Sequence, residues 1–145
     1  MRVLVTGGAG FIGSHVVDKL CDYGVTVRVF DLTRPARQDV EFFQGSILDD
    51  GELRSAMSRV DAVMHLAAIA DVNDVVAEPL YSEMANTRGT ANVLEAMRLA
   101  GLKRLVYGST TWVYEAALTE QVDEDVPLGM PNHLYTATKL ASEHY

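Results

Sequence analysis

The chain opens on a short apolar run, Val3–Val5, that ends in a glycine-rich turn. An amphipathic stretch follows from Phe11 to Tyr23, with Ile12, Val16, Val17 and Leu20 at helical spacing. Gly24 stops it, the residue type that best tolerates the left-handed backbone of a helix end. Apolar runs at Val25–Phe30, Val40–Phe43, Ala62–Leu66 and Leu105–Tyr107 then predict four more strands. Between and after them lie helical patterns at Gly51–Ser58, Ser82–Ala100 and from Leu134 to the end of the chain. Short apolar strands alternating with helices are the pattern of βαβ units, which bury both faces of a parallel sheet under helices. Right-handed crossovers leave few topologies, and the reading is an α/β, doubly wound parallel sheet in the order 3-2-1-4-5. No repeat, low-complexity tract or linker interrupts the pattern, so residues 1–145 read as one domain.

Composition narrows the function classes. The 145 residues are 48% hydrophobic and 22% charged, which supplies a core and argues against disorder. Twenty acidic residues against twelve basic ones give a formal charge of -8 without a basic stripe, so no nucleic-acid partner is expected. The single cysteine, Cys21, excludes a disulfide framework and a cysteine-rich zinc site. His15, His65, His133 and His144 are scattered without metal-ligand spacing, and no metal is expected. The apolar runs are too short to span a membrane, and the N-terminus enters a strand at once rather than a signal peptide. A cytoplasmic location is the expectation.

The chemistry starts at Thr6-Gly7-Gly8-Ala9-Gly10-Phe11-Ile12-Gly13, between the first strand and the first helix. Gly7 permits the tight turn, Gly10 leaves room for a pyrophosphate beside the backbone, and Gly13 allows close helix–strand packing. The N–H groups near Phe11 and Ile12 then face the phosphates, aided by the helix dipole. Asp31 follows Gly13 by 18 residues, at the end of strand two, where a carboxylate accepts from both hydroxyls of an adenosine ribose. The turn, its flanking elements and this acid together predict a Rossmann-like dinucleotide site. Asp31 favours NAD over NADP because it repels a 2′-phosphate. Arg34 and Arg37 nearby are expected to be solvated loop residues.

Five blocks in order carry a resemblance to a known family: Thr6–Gly13, His65-Leu66-Ala67-Ala68, Asn86–Ala96, Ser109-Thr110 before Val113-Tyr114, and Tyr135-Thr-Ala-Thr-Lys139. The chain resembles the extended short-chain dehydrogenases/reductases, especially the NAD-dependent epimerase/dehydratase branch acting on nucleotide sugars. The resemblance implies that Leu66, Ala67 and Ala68 line the cofactor, that Ile47 lies next to the adenine, and that Asn86 fixes the central helix near the lysine. Ser46 stands where the family usually has an aspartate bonded to the adenine. Thr110, Tyr135 and Lys139 match the family's active-site trio. Its members are longer, which implies that this chain is the N-terminal, NAD-binding part, ending before later strands and a substrate domain, with little turnover by itself. A homodimer through the 82–100 helix and the last helix, and a UDP-linked sugar as substrate, are implied in the same way.

A free phenol has a pKa of about 10 and is a poor base at neutral pH. Tyr135 and Lys139, four apart on a helix, share one face, so an ammonium can favour the phenolate. Bringing that pKa toward ~7 takes about 4 kcal/mol, within reach of two cations, Lys139 and the nicotinamide, in a dry site. The resemblance implies that Tyr135 takes a hydroxyl proton as hydride leaves the same carbon, that Thr110 holds that oxygen, and that Lys139 binds the nicotinamide ribose. The sugar dehydratases of the family carry an Asp-Glu pair directly after the Ser/Thr; here Thr111 and Trp112 stand there and cannot eliminate water. The trio suffices for a 4-epimerase. A sugar or small-alcohol dehydrogenase/reductase, or a non-catalytic dinucleotide-binding module, stays open beside it.

Overall fold

The computed structural model describes residues 1–115 and 121–145. Five parallel strands form one sheet in the order β3-β2-β1-β4-β5: β1 (Arg2–Thr6), β2 (Thr26–Asp31), β3 (Glu41–Gln44), β4 (Ala62–His65) and β5 (Leu105–Tyr107). The order and the parallel sense are those expected from the alternation of strands and helices. Strand positions alternate between two cores, as the two-residue period of a strand demands. Val3, Val5, Val27 and Val29 pack with Val17 of α1 (Phe11–Asp22) on one face. Leu4, Phe30 and Val63 pack on the other with Leu53 of α2 (Asp50–Ala56) and Val93 of α5 (Gly89–Leu99). β5 lies at one edge of the sheet, and Val106 on it is exposed.

Two departures from the sequence reading matter for the site. The single helix expected over 82–100 is three pieces. Pro79 starts α4 (Pro79–Glu83), a π-helical segment covers Met84–Arg88, and α5 continues from Gly89. A π turn inserts one residue, and here it turns Asn86 inward and exposes its carbonyl to side chains. The Asn86 carbonyl accepts from the Thr90 hydroxyl at 2.6 Å and the Ser142 hydroxyl at 3.2 Å. The second departure is α3 (Val72–Ala77), a one-and-a-half-turn helix that the apolar pattern does not predict because only Val75 is buried. Its start is nonetheless written locally: the Asp71 carboxylate accepts from the Asn73 amide at 2.8 Å as an N-cap. The last helix, α6 (Leu134–Glu143), begins where the sequence places it. Among the described residues no helix is long and apolar enough to cross a membrane.

Candidate active site

The glycine turn closes on itself through hydrogen bonds from Gly7 N–H to the Phe30 carbonyl (3.0 Å) and from Gly10 N–H to the Gly7 carbonyl (3.1 Å). Gly7 has φ +71°, and a Cβ there would stand 2.6 Å from the Ala67 nitrogen. The turn therefore needs glycine both for its backbone and for the approach of the strand β4 exit. Gly13 meets the turn even more closely: a Cβ on it would lie 2.0 Å from the Gly7 oxygen. Gly10 differs, since its Cβ would meet only that oxygen, at 3.3 Å, and would otherwise project into open space. Gly10 is the N-cap of α1, and no described side chain caps the first turn, which leaves the Phe11 and Ile12 amides facing outward for an anionic acceptor.

A cavity of about 370 Å³ opens beside this turn. Gly7, Gly10, Asp31, Ser46, Ile47, Leu66, Ala67 and Ala68 line it, eight of the residues singled out in the sequence. Phe11, Ile12, Gly13, Asn86, Tyr135 and Lys139 are not among the residues that line it. Thr33, Ile69 and Tyr81 are, and were not expected. Thr33 and Ile69 follow expected residues within two positions and were findable by adjacency. Tyr81 is brought in by α4, which the sequence pattern left undefined.

Asp31 is the polar anchor of the cavity. One carboxylate oxygen accepts from the Ala9 amide at 3.0 Å, and the other from the Thr33 amide at 3.0 Å and its hydroxyl at 3.2 Å. A carboxylate offers about four acceptor sites, so capacity remains for a diol. The two nearby arginines are engaged elsewhere. Arg37 bridges Asp18 (3.1 Å) and Asp39 (2.8 Å), and Arg34 lies over the Phe42 ring at 5.0 Å. Both remain solvent-facing loop residues, as expected, and their partners are surface groups of this chain. Ser46 accepts from Leu48 N–H at 3.2 Å through its hydroxyl, while its own amide donates to Glu52 at 2.9 Å. The hydroxyl proton of Ser46 is left to donate into the cavity.

Asn86 acts as a staple instead of a cavity wall. Its carboxamide accepts from Ile69 N–H (2.8 Å) and donates to the Ile69 carbonyl (3.0 Å) and the Thr138 hydroxyl (3.2 Å). One side chain thus ties the loop that lines the cavity to α6.

Three side chains converge beyond that loop, past the end of β5. Thr110 is the N-cap of a 3-10 turn over Thr111–Tyr114, its hydroxyl accepting from Trp112 N–H at 3.3 Å. The same hydroxyl lies close enough to the Tyr135 phenol to bear on its ionisation. Lys139, one turn along α6, is 3% exposed and donates to the Gly108 carbonyl at 2.7 Å. Its ammonium is 5.7 Å from the centre of the Tyr135 ring and 4.8 Å from that of Tyr107. Burial pushes the Tyr135 phenol above its ordinary value, and the Thr110 hydroxyl pulls it back.

Burial pushes the Lys139 amine down to about 8. The consequence for stability has a definite sign. Below pH 8 the amine is charged in the folded and unfolded chain alike. Between about 8 and the unfolded value of ~10.4 the folded state has shed a proton that the unfolded state keeps, so stability rises with pH across that window. Urea unfolding of the wild-type chain minus Lys139→Met should show this rise, with a slope of about 1 kcal/mol per pH unit. A flat difference between pH 8 and 10 would mean that the amine is not desolvated.

His65 is the site residue that the sequence did not single out by itself. It is buried in β4, and burial, reinforced by Lys139, holds its imidazole neutral by pushing it down to about 3. Thr90 gives its single hydroxyl proton to the Asn86 carbonyl, so it must accept from His65 Nε2 at 3.0 Å. Nδ1 then accepts from the Thr6 hydroxyl at 2.6 Å. A single run of bonds in this way joins the end of β1, below the glycine turn, to the π segment and α6. Among the described residues no group of three metal-ligating side chains assembles.

Fold and site together define a class: a Rossmann-type α/β domain with a glycine turn, an acid at the end of its second strand and a Thr/Tyr/Lys cluster at the carboxyl ends of its strands. The chain belongs to the NAD dependent epimerase/dehydratase family, whose model matches residues 3–145. It is 36% identical to the UDP-glucose 4-epimerase of Erwinia amylovora, over 99% of this chain and 47% of that protein. It is 37% identical to a 3 beta-hydroxysteroid dehydrogenase/Delta 5-->4-isomerase of Mycobacterium tuberculosis, over 99% and 41%. The crystal structure of the Thermus thermophilus UDP-glucose 4-epimerase in complex with NAD superposes with a TM-score of 0.91 at 40% identity, covering 100% of this chain and 49% of that one. The chain spans about half the length, or slightly less, of the relatives it matches.

Proposed function

We propose that this chain is the NAD-binding domain of a nucleotide-sugar 4-epimerase and carries its proton-transfer residues. The observation that carries the reading is the convergence of Thr110, Tyr135 and Lys139 next to the Leu66–Ile69 loop, which also forms the cavity wall. Gly108 couples the two: its amide donates to the His65 carbonyl at 3.0 Å, and its carbonyl holds Lys139. NAD fits the cavity by the room kept at Gly10, the outward amides of α1 and the spare acceptor capacity of Asp31. When bound, NAD supplies a reversible acceptor for the hydrogen on the sugar carbon.

The chain's own residues do the rest. Thr110 donates to the reacting oxygen and keeps it in line with Tyr135. Tyr135 takes the hydroxyl proton of the substrate and returns it after the keto sugar has presented its other face. Its phenol is raised by burial before the cofactor arrives, so a further positive charge in the site is needed to bring it into working range. Lys139 holds a ribose hydroxyl and contributes charge below pH 8. The substrate is a UDP-linked sugar, as the names of several relatives suggest. Interconversion of UDP-galactose and UDP-glucose without added cofactor, by the enzyme carrying this chain, tests the reading; net, cofactor-consuming turnover of a sterol or sugar alcohol in its place overturns it. That second outcome is the dehydrogenase reading, favoured by the likeness to the mycobacterial steroid dehydrogenase.

Asp31 makes the cofactor choice testable. Calorimetry should give NAD at least a hundredfold tighter than NADP. Asp31→Ala should cost NAD about tenfold and bring the two near parity, the scale expected for losing hydrogen bonds to a charged group. Undiminished discrimination in Asp31→Ala would place the choice elsewhere.

A further inference from the structure

Two residues outside the proton-transfer set frame it from both sides. Trp112 follows Thr110 by two positions on the 3-10 turn, and His133 precedes Tyr135 by two positions as the N-cap of α6. Their rings meet at 5.3 Å between centroids, tilted by 54°. The pair therefore bridges the two segments that bring Thr110 and Tyr135 together. Val113 beside it is buried and anchors the turn, while Trp112 keeps 42% of its surface exposed. His133 is backed by Glu115, whose carboxylate lies 3.8 Å from Nε2 and also accepts from Asn132 N–H at 2.8 Å. An indole held by a tilted imidazole, with a carboxylate behind it, is a positioned aromatic surface with polar groups at its rim.

We propose that Trp112 is the specificity-determining wall of the substrate site, on which the sugar ring stacks with its C–H face, and that His133 sets the tilt of that wall. The proposal rests on the epimerase reading above and adds the contact that chooses the sugar. A pyranose presents one apolar face and a rim of hydroxyls, which matches an indole bordered by His133 and Glu115. A sterol presents apolar surface almost everywhere and offers few hydroxyls to the imidazole and carboxylate at the rim. Trp112 lies two residues from Thr110 and is not among the residues that line the cavity beside the glycine turn, so the proposal sets it against the sugar.

The test is calorimetry on the NAD-loaded enzyme carrying this chain, with UDP-galactose and with UDP as probes. Trp112→Ala should weaken UDP-galactose at least tenfold, about 1.4 kcal/mol, and leave UDP within twofold. Trp112→Phe, which keeps an aromatic face, should stay within threefold on both, and His133→Ala should fall between. Thermal midpoint and NAD affinity of each variant serve as the folding control; the exposure of Trp112 makes its truncation tolerable. Equal weakening of both probes, no weakening of either, or tighter binding of a sterol alcohol than of UDP-galactose overturns the proposal. Epimerase turnover of the wild type is scored separately. Its absence with the calorimetric pattern intact removes the reaction and keeps the sugar wall, and turnover with the pattern absent does the reverse.

Discussion

Tyr135→Phe in the enzyme carrying this chain should lower kcat by at least a thousandfold while NAD affinity stays within threefold. A positioned acid–base group contributes 10²–10⁴-fold. His65 is locked neutral between Thr6 and Thr90, with both ring nitrogens in use. His133 is turned to Trp112 and Glu115. Deleting one oxygen from the half-buried Tyr135 leaves the ring packed, so folding should be preserved. A thousandfold drop corresponds to about 4 kcal/mol of transition-state stabilisation. Steady-state rates with bound-NAD quantification decide the matter; turnover within tenfold of wild type would take the base away from Tyr135.

The glycine turn supplies the other large effect. In Gly13→Ala the new methyl carbon would stand 2.0 Å from the Gly7 oxygen and 2.8 Å from the Gly8 Cα. Both are backbone atoms, so no side chain can swing aside and the turn itself must move. Overpacking of this kind costs about 3 kcal/mol, and a domain this size then melts roughly 10 °C lower. NAD affinity should fall more than a hundredfold because the amides of α1 and the acceptor of Asp31 lose their common frame. Gly10→Ala is the control. Its methyl meets only the Gly7 oxygen at 3.3 Å and otherwise projects into the cavity. It should keep the melting temperature within a few degrees and still lose NAD. If Gly10→Ala and Gly13→Ala behave alike in both measurements, the division between a packing glycine and a clearance glycine is wrong.

Much of this was readable from spacing. Val3, Leu4 and Val5 sit in a strand buried on both faces, and a continuous apolar run says so without help from the rest of the chain. The Gly7–Gly13 turn and Asp31 were readable because each requirement is local: a positive φ, a close backbone approach, a strand end. The central helix was misread as one piece because its residues keep a helical apolar rhythm across 82–100. The extra residue of the π turn is stabilised by partners far away, the Ile69 backbone, Thr138 and Ser142. Helix α3 escaped because it buries a single valine. His65 looked like one scattered histidine among four, since Thr6 and Thr90 lie 59 and 25 residues from it.

The division follows the range of the forces involved. By itself the amino-acid order determined the strand and helix alternation, the sheet order, the glycine turn and the identity of the Thr110, Tyr135 and Lys139 side chains, all of which depend on near neighbours and backbone sterics. Only the tertiary structure decided how those side chains are charged and what stands beside them. Desolvation of Lys139 and Tyr135 and the meeting of Trp112 with His133 depend on which distant segments are packed together, and a side chain's ionisation and reach are set by that company and not by its place in the chain.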